Sequence, residues 1–211
     1  MTDHLSSQIA LACQRLSESD PRLKTLIETF GPPGLERGGD PYQALVRSII
    51  YQQISGKAAR SIFNRFLAIF PGSKFPTPQE LSAADLPGLR MAGLSQRKAE
   101  YVTGIGAAFL DPHFLSDRID DLSDRQVSEK LTGLRGVGQW TADMFMIFTL
   151  ARLDVLPLND QGILNGMQVF FELDHLPAAE EMVELTEHWK PYRSIASWYM
   201  WKVVDEDFQW Q

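Results

Sequence analysis

Apolar residues recur three and four positions apart along almost the whole chain, and no run of four or more residues shows convincing strand alternation. Residues 5–16 and 22–30 read as two helices, followed by the loop or connector "GPPGLERGGDP" at 31–41. Asp40 caps a helix that opens on Pro41 and keeps Leu45, Ile49 and Ile54 on one face. Gly56 interrupts before a helix carrying Ala59, Ile62, Phe63, Phe66 and Phe70, which Pro71-Gly72 ends. Thr77-Pro78-Gln79-Glu80 is a capping box, Ser95 starts a helix with Ala99, Val102 and Ile105 inward, and Ser123 with Gln126 opens a short helix to Leu131. Residues 139–151 form a strongly apolar helix, and Asn159 or Asp160 caps another through about Phe171. Two more helices, 178–189 and 191–203, break at Pro191. The pattern predicts an all-α fold.

Composition narrows this only a little. A chain of 211 residues, 44 % hydrophobic and 22 % charged, can bury a sizeable core as one large domain or two small lobes. "MFMIFTLA", Met144 to Ala151, is the longest apolar stretch and is too short to cross a bilayer. The N-terminus shows no basic segment before an apolar run, so a cytoplasmic protein without a secretory signal is expected. Cys13 is the only cysteine, which excludes an intramolecular disulfide and any iron–sulfur or zinc site built from several thiolates. The four scattered histidines His4, His113, His175 and His188 outline no metal site. A net charge of −7 speaks against a nucleic-acid partner. Net charge does not report a local patch, however, and neutral backbone N–H groups also hold phosphates.

One stretch breaks the helical pattern. "LTGLRGVGQWTA", 131–142, sets Gly133, Gly136 and Gly138 between two helices, where a helix-interior glycine would cost roughly 1 kcal/mol relative to alanine. A Gly-x-Gly at the mouth of a helix permits positive φ, removes the Cβ that would block close approach and turns the amides of Gly136 and Gly138 toward an anion. The dinucleotide-binding G-x-G-x-x-G needs a preceding strand, and the Walker A motif needs a Lys-Ser or Lys-Thr; neither is present. The hairpin alone reads equally as a sharp interhelical turn that binds nothing.

The longer stretch "LTGLRGVGQWTADMFMIFTLARLDVLPLNDQGI", 131–163, closely resembles the signature of the helix–hairpin–helix (HhH-GPD) DNA glycosylases: a hairpin, a Gly/Pro-rich loop, then an aspartate. "GQWTA" after the hairpin and "PLND" in the loop look like the 3-methyladenine DNA glycosylase II branch, and "LVRSIIYQQISGKAA" (45–59), "GLSQRKAEYV" (93–102) and "WKPYRSIASWYMW" (189–201) match it too. The resemblance implies two helical lobes without an N-terminal β domain. One is residues 40–156, holding the hairpin motif at about 124–151. The other is 1–39 plus 157–211, with Asp160 at the cleft. It implies a monomer that acts on double-stranded DNA containing alkylated bases, associated with the nucleoid if bacterial, with no cofactor and no membrane partner. The activity implied is hydrolysis of the N-glycosidic bond of a flipped-out alkylated purine, the first step of base excision repair. A non-catalytic helix–hairpin–helix DNA-binding module is the alternative.

The residues follow from the same likeness. Asp160 matches the family's catalytic aspartate, although an aspartate before a helix is in most proteins only a cap. Trp140 stands where bifunctional relatives carry the lysine that attacks C1′, so simple hydrolysis is expected. Trp140 and Trp201 resemble the family's aromatic pocket walls, whose faces suit a cationic base, and Tyr42, Phe145 and Tyr192 are weaker candidates. Gln53 matches the position that fills the gap left by the base, with Ser55 beside it; an ordinary polar turn is the other reading. Arg135, Lys130 and Lys98 supply a basic rim. The family hairpin can hold a sodium or potassium ion on backbone carbonyls, here those of Thr132, Leu134 and Val137.

Overall fold

The computed structural model describes residues 2–114 and 119–205, and these contain helices and turns but no strand. In chain order the helices are α1 (Thr2–Ser19), α2 (Pro21–Phe30), α3 (Pro41–Tyr51), α4 (Gly56–Ala68), α5 (Pro78–Ser82), α6 (Leu86–Met91), α7 (Gln96–Ala108), α8 (Asp124–Thr132), α9 (Gln139–Phe148), α10 (Gln161–Phe170), α11 (Ala179–Leu185) and α12 (Arg193–Val204). Short 3-10 turns lie at Ile119–Asp121 and Glu187–Trp189. No helix among the described residues is long and apolar enough to cross a membrane.

Most starts are capped as the sequence requires. Asp40, Ser55, Ser95 and Ser123 accept the amides of Gln43, Ala58, Lys98 and Gln126, and Thr77 with Glu80 closes a reciprocal capping box. Three expectations need correction. Residues 86–91 form α6, capped by Asp85 with Pro87 in its first turn, where no helix is expected. Helix α3 ends at Tyr51 because Gln53 takes a left-handed φ of 56°, so Ile54 lies outside the helix and is exposed rather than on its buried face. Helix α9 stops at Phe148, not 151; Ala151 turns left-handed (φ 54°) and Arg152 N–H closes back on Met146 O at 2.9 Å.

The chain divides into two units. One is Gly38–Phe145, with α3 to α8 and most of α9; the other joins residues up to Arg37 to those from Met146 onward. In the first, Leu45, Ile49, Phe66, Leu81, Leu89, Val102, Ile105 and Leu131 are fully buried. Helix α5 lies so close to α7 that a Cβ on Gly106 would sit 2.9 Å from Ser82 N. In the second, α12 is buried from Ser194 to Lys202, without the polar face of a surface helix. It packs on α10 at Gly166, where a Cβ would fall 2.2 Å from Met200 O. Ser194 joins this unit further, donating to Arg152 O (2.7 Å) while accepting from Val155 N–H (2.9 Å).

Candidate functional site

Asp160 ends the loop "PLND" and caps α10. Its Oδ1 accepts the Ile163 amide at 2.9 Å and the Trp201 Nε1–H at 2.8 Å, and the residue is 9 % exposed. The sequence leaves Asn159 or Asp160 as the cap; Asp160 is. Two donors from different elements fix the carboxyl group in one rotamer at the positive end of a helix. Trp201, expected as a pocket wall, is a hydrogen-bond partner of Asp160. It is 6 % exposed, stacks on Phe148 (centroids 6.1 Å, planes 23° apart) and points its N–H at the carboxylate. This arrangement needs a bare Gly162, since a Cβ there would lie 2.7 Å from Trp201 Cδ1 and 3.1 Å from Asp160 Oδ1. Sequence reasoning passes over Gly162; its place two residues after Asp160 is the only local signal, and nothing local names Trp201 as its neighbour.

The hairpin belongs to the other unit. Helix α8 closes at Gly133, Leu134 N–H and Val137 N–H bond back to Leu131 O (3.0 Å) and Leu134 O (3.1 Å), and α9 begins at Gln139. The amide N–H groups of Gly136 and Gly138 have no acceptor among the described residues, which suits an anion at a helix start. The two glycines differ, however. Gly136 has φ 90° and a Cβ on it would overlap the Tyr101 ring, at 2.2 Å from Cδ2, so its bareness serves the fold rather than an incoming phosphate. Gly138 has open space where its Cβ would be. A ligand can approach there.

The turn 52–55 is bound to this hairpin by a contact that the sequence does not reveal. Gln52 Nε2 donates to Gly136 O (3.2 Å) and to Thr141 Oγ1 (3.3 Å). The left-handed Gln53 follows, exposed, and Ser55 uses its hydroxyl to cap α4. Lys98 does not face solvent as a phosphate contact: its Nζ donates to Ile50 O (2.8 Å) and Gln52 O (2.7 Å), the orphan carbonyls at the end of α3. Burial holds its pKa below the usual lysine value. Arg135 is exposed.

Of the aromatic candidates, Trp140 is 46 % exposed on the first turn of α9. Tyr42, a weaker pocket candidate, is buried, set between Phe75 (5.6 Å) and Phe109 (5.3 Å), and its hydroxyl has no hydrogen-bond partner among the described residues. Burial and the charges of Asp40 and Glu80 push its pKa up. Phe145 is buried. Tyr192 lines a groove of about 390 Å³ with Arg15, His188 and Pro191, whose lining includes neither Asp160 nor Trp201. Asp143, four residues past Gln139 on α9, is 4 % exposed and accepts from Gln139 Nε2 (2.8 Å); burial raises its pKa to about 6. No cluster of three or more His, Cys, Asp or Glu among the described residues outlines a metal site.

Residues 46–191 match the family model described as "HhH-GPD superfamily base excision DNA repair protein". The chain is similar to DNA-3-methyladenine glycosylase 1 of Schizosaccharomyces pombe, at 35 % identity over 188 residues, covering 89 % of this chain and 82 % of the relative. Among solved structures it resembles that organism's 3-methyladenine DNA glycosylase in complex with abasic DNA, with a TM-score of 0.76 and 34 % identity over 90 % of this chain and 95 % of the other. It also resembles a DNA-3-methyladenine glycosidase from Bacillus halodurans, with a TM-score of 0.81 and 33 % identity over 92 % and 90 % of the two chains.

Proposed function

The chain belongs to the HhH-GPD superfamily of base excision DNA repair proteins, and from that membership we propose that it is a monofunctional DNA glycosylase releasing alkylated purines from duplex DNA. The observation that carries the reading is the Asp160 carboxylate, fixed by the Ile163 amide and the Trp201 indole. Cleavage of the bond between base nitrogen and C1′ leaves positive charge on the deoxyribose. A carboxylate held in one place stabilises that charge and orients, or takes a proton from, the water whose oxygen bonds to C1′. The products are free base and an abasic site.

Two features support the finer points. At the position where a lysine would attack C1′ this chain has Trp140, which offers no amine for a Schiff base. An exposed indole face attracts a cationic base by about 0.5–2 kcal/mol. N3- and N7-alkylpurines carry a positive charge in DNA and leave as neutral molecules, so they need no general acid. Flipping them out of the helix costs a few kcal/mol, which Gln53 would offset by filling the gap. Gly138 and its neighbouring amides would hold a backbone phosphate. The carbonyls of Thr132, Leu134 and Val137 are a neutral donor set with no carboxylate among residues 132–138, suited to a sodium or potassium ion in a structural role.

The test is single-turnover base release from duplexes carrying one 7-methylguanine, hypoxanthine or uracil. The cationic base should leave fastest. Asp160→Asn, which preserves the helix cap, should bind DNA within a few-fold of wild type and release base about 10²-fold more slowly or worse. Borohydride should trap no protein–DNA adduct. Faster release of uracil, an Asp160→Asn protein with wild-type turnover, or a turnover-dependent adduct would each overturn its part of the reading.

A further inference from the structure

An acidic protein that holds duplex DNA needs cations whose N–H groups are free to meet phosphates, and at the hairpin rim two of the three already spend theirs on protein carbonyls. Lys98 is bound to the carbonyls of Ile50 and Gln52, and Lys130 donates to His113 O at 3.0 Å. Arg135 remains. The missing charge lies elsewhere in the same unit. Between Asp40 and Glu80 the chain has no acidic residue and five basic ones, Arg47, Lys57, Arg60, Arg65 and Lys74. With a total of −7, the remainder of the protein is then at −12.

Two of these cations sit together on α4. Lys57, Arg60, Ser61 and Asn64, spaced as one face of a helix, line an open groove of about 460 Å³, and all four are exposed. Neither Lys57 nor Arg60 has a hydrogen-bond or ion-pair partner among the described residues. Their basic neighbours are occupied: Arg65 donates to Ala92 O (2.8 Å) and Ser61 Oγ (2.9 Å), and Arg47 lies over the Tyr51 and Phe63 rings.

The position of the groove says which phosphates it meets. Gln52 ties the turn before α4 to Gly136 of the hairpin. Lys57 follows five residues later, at most about 18 Å of chain from Gln52, and the exposed Gln53 stands between them. The minor groove of B-DNA is about 6 Å wide. A duplex with one strand on the Gly138 amides and its gap filled by Gln53 therefore offers its other strand to α4. We propose that the α4 groove seats the undamaged strand, with Lys57 and Arg60 on its phosphates and Ser61 and Asn64 as hydrogen-bonding neighbours. This rests on the glycosylase reading, which supplies the duplex and the wedge.

The experiment measures affinity, as a function of salt, for a duplex with one tetrahydrofuran abasic analogue, using wild type and Lys57→Ala/Arg60→Ala. The double variant should bind about tenfold more weakly, with a salt slope shallower by about 1–2, since each phosphate contact contributes about 0.9. Neutral methylphosphonate linkages in the undamaged strand opposite the analogue should weaken the wild type by a similar factor and the variant hardly further. The same linkages in the analogue-bearing strand should weaken both proteins alike. Unchanged affinity and slope in the variant would make this a merely solvated helix face and overturn the proposal. Sensitivity lost on the analogue-bearing strand instead would overturn the strand assignment. Base release by the wild type from methylated duplex is scored separately: its absence with this binding pattern intact overturns the glycosylase reading alone, and absence of duplex binding by the wild type overturns both.

Discussion

Two regions of this protein depend on bare glycines, in opposite ways. In the hairpin, Gly138 has open space where a Cβ would be and an amide N–H with no acceptor among the described residues, and Gly136 takes a conformation that places the Tyr101 ring where a side chain would be. In α10, Gly162 is half-buried and Gly166 buried, and neither leaves room for a Cβ. They let α12 come close enough for Trp201 to reach Asp160 and for the Met200 carbonyl to lie against the helix. The first region leaves main-chain donors without acceptors among the described residues, the kind of group that can meet a repeating phosphate backbone. The second closes its glycines against α12 and so positions one side chain.

The sharpest break in this contrast is at Gly136. Gly136→Ala forces a side chain into left-handed backbone and into Tyr101, an expected loss of about 2–5 kcal/mol from the two effects together. The unfolding midpoint should fall by roughly 5–15 °C. Placing the same change in a Tyr101→Ala background should recover the packing part and not the backbone part. An unchanged midpoint in the single variant would mean the hairpin has no such constraint.

Next in size is Trp201→Phe. It keeps the stack on Phe148 and removes the N–H that holds Asp160, a hydrogen bond to a charged group worth about 1.5–3 kcal/mol. Single-turnover base release should slow by about 10- to 100-fold while duplex affinity holds. A loss confined to affinity would return Trp201 to the role of pocket wall. The smallest effect is expected at Gly138→Ala. With no atom within 4 Å of the new Cβ, stability should stay within about 0.5 kcal/mol or rise slightly. Affinity should fall about three- to tenfold on every duplex, damaged or not, because a phosphate contact carries no lesion information. If affinity is untouched, the open space at Gly138 is not where the phosphate sits.

The same contrast explains what the sequence discloses. Asp160 and the hairpin glycines are legible because caps, turns and Gly-x-Gly spacing are local signals, each spanning a handful of residues. The partners that give these residues their roles are not local. Trp201 lies 41 positions from Asp160, Gln52 lies 84 from Gly136 and Lys98 lies 46 from Gln52. Lys98 reads as a solvated rim lysine because nothing nearby reveals the carbonyls left without helical partners at the end of α3. The packing of Tyr42 is hidden for the same reason: a tyrosine at a helix start looks the same whatever it meets, and its ring neighbours Phe75 and Phe109 lie 33 and 67 residues away. Helix α6 is missed for the reverse reason: Pro87 and Gly88 look like turn residues until Asp85 is seen capping them.

The unit that carries Asp160 is assembled from both ends of the described chain, with the other unit inserted as one continuous stretch, Gly38–Phe145. Its closures are correspondingly long. Tyr199 donates to Gly31 O across 168 residues, and Asp20 accepts from His188 and Trp189 across 168 and 169. On a ribosome this imposes an order of events. The inserted unit, with hairpin, the turn at 52–55 and basic α4, is fully synthesised before any of the sequence that completes the aspartate's surroundings has emerged. α1 and α2 must wait as a pair for α10 and α12, and the entropy of closing so large a loop is met only then. A nascent chain would thus acquire its hold on DNA before its ability to cut a base from it.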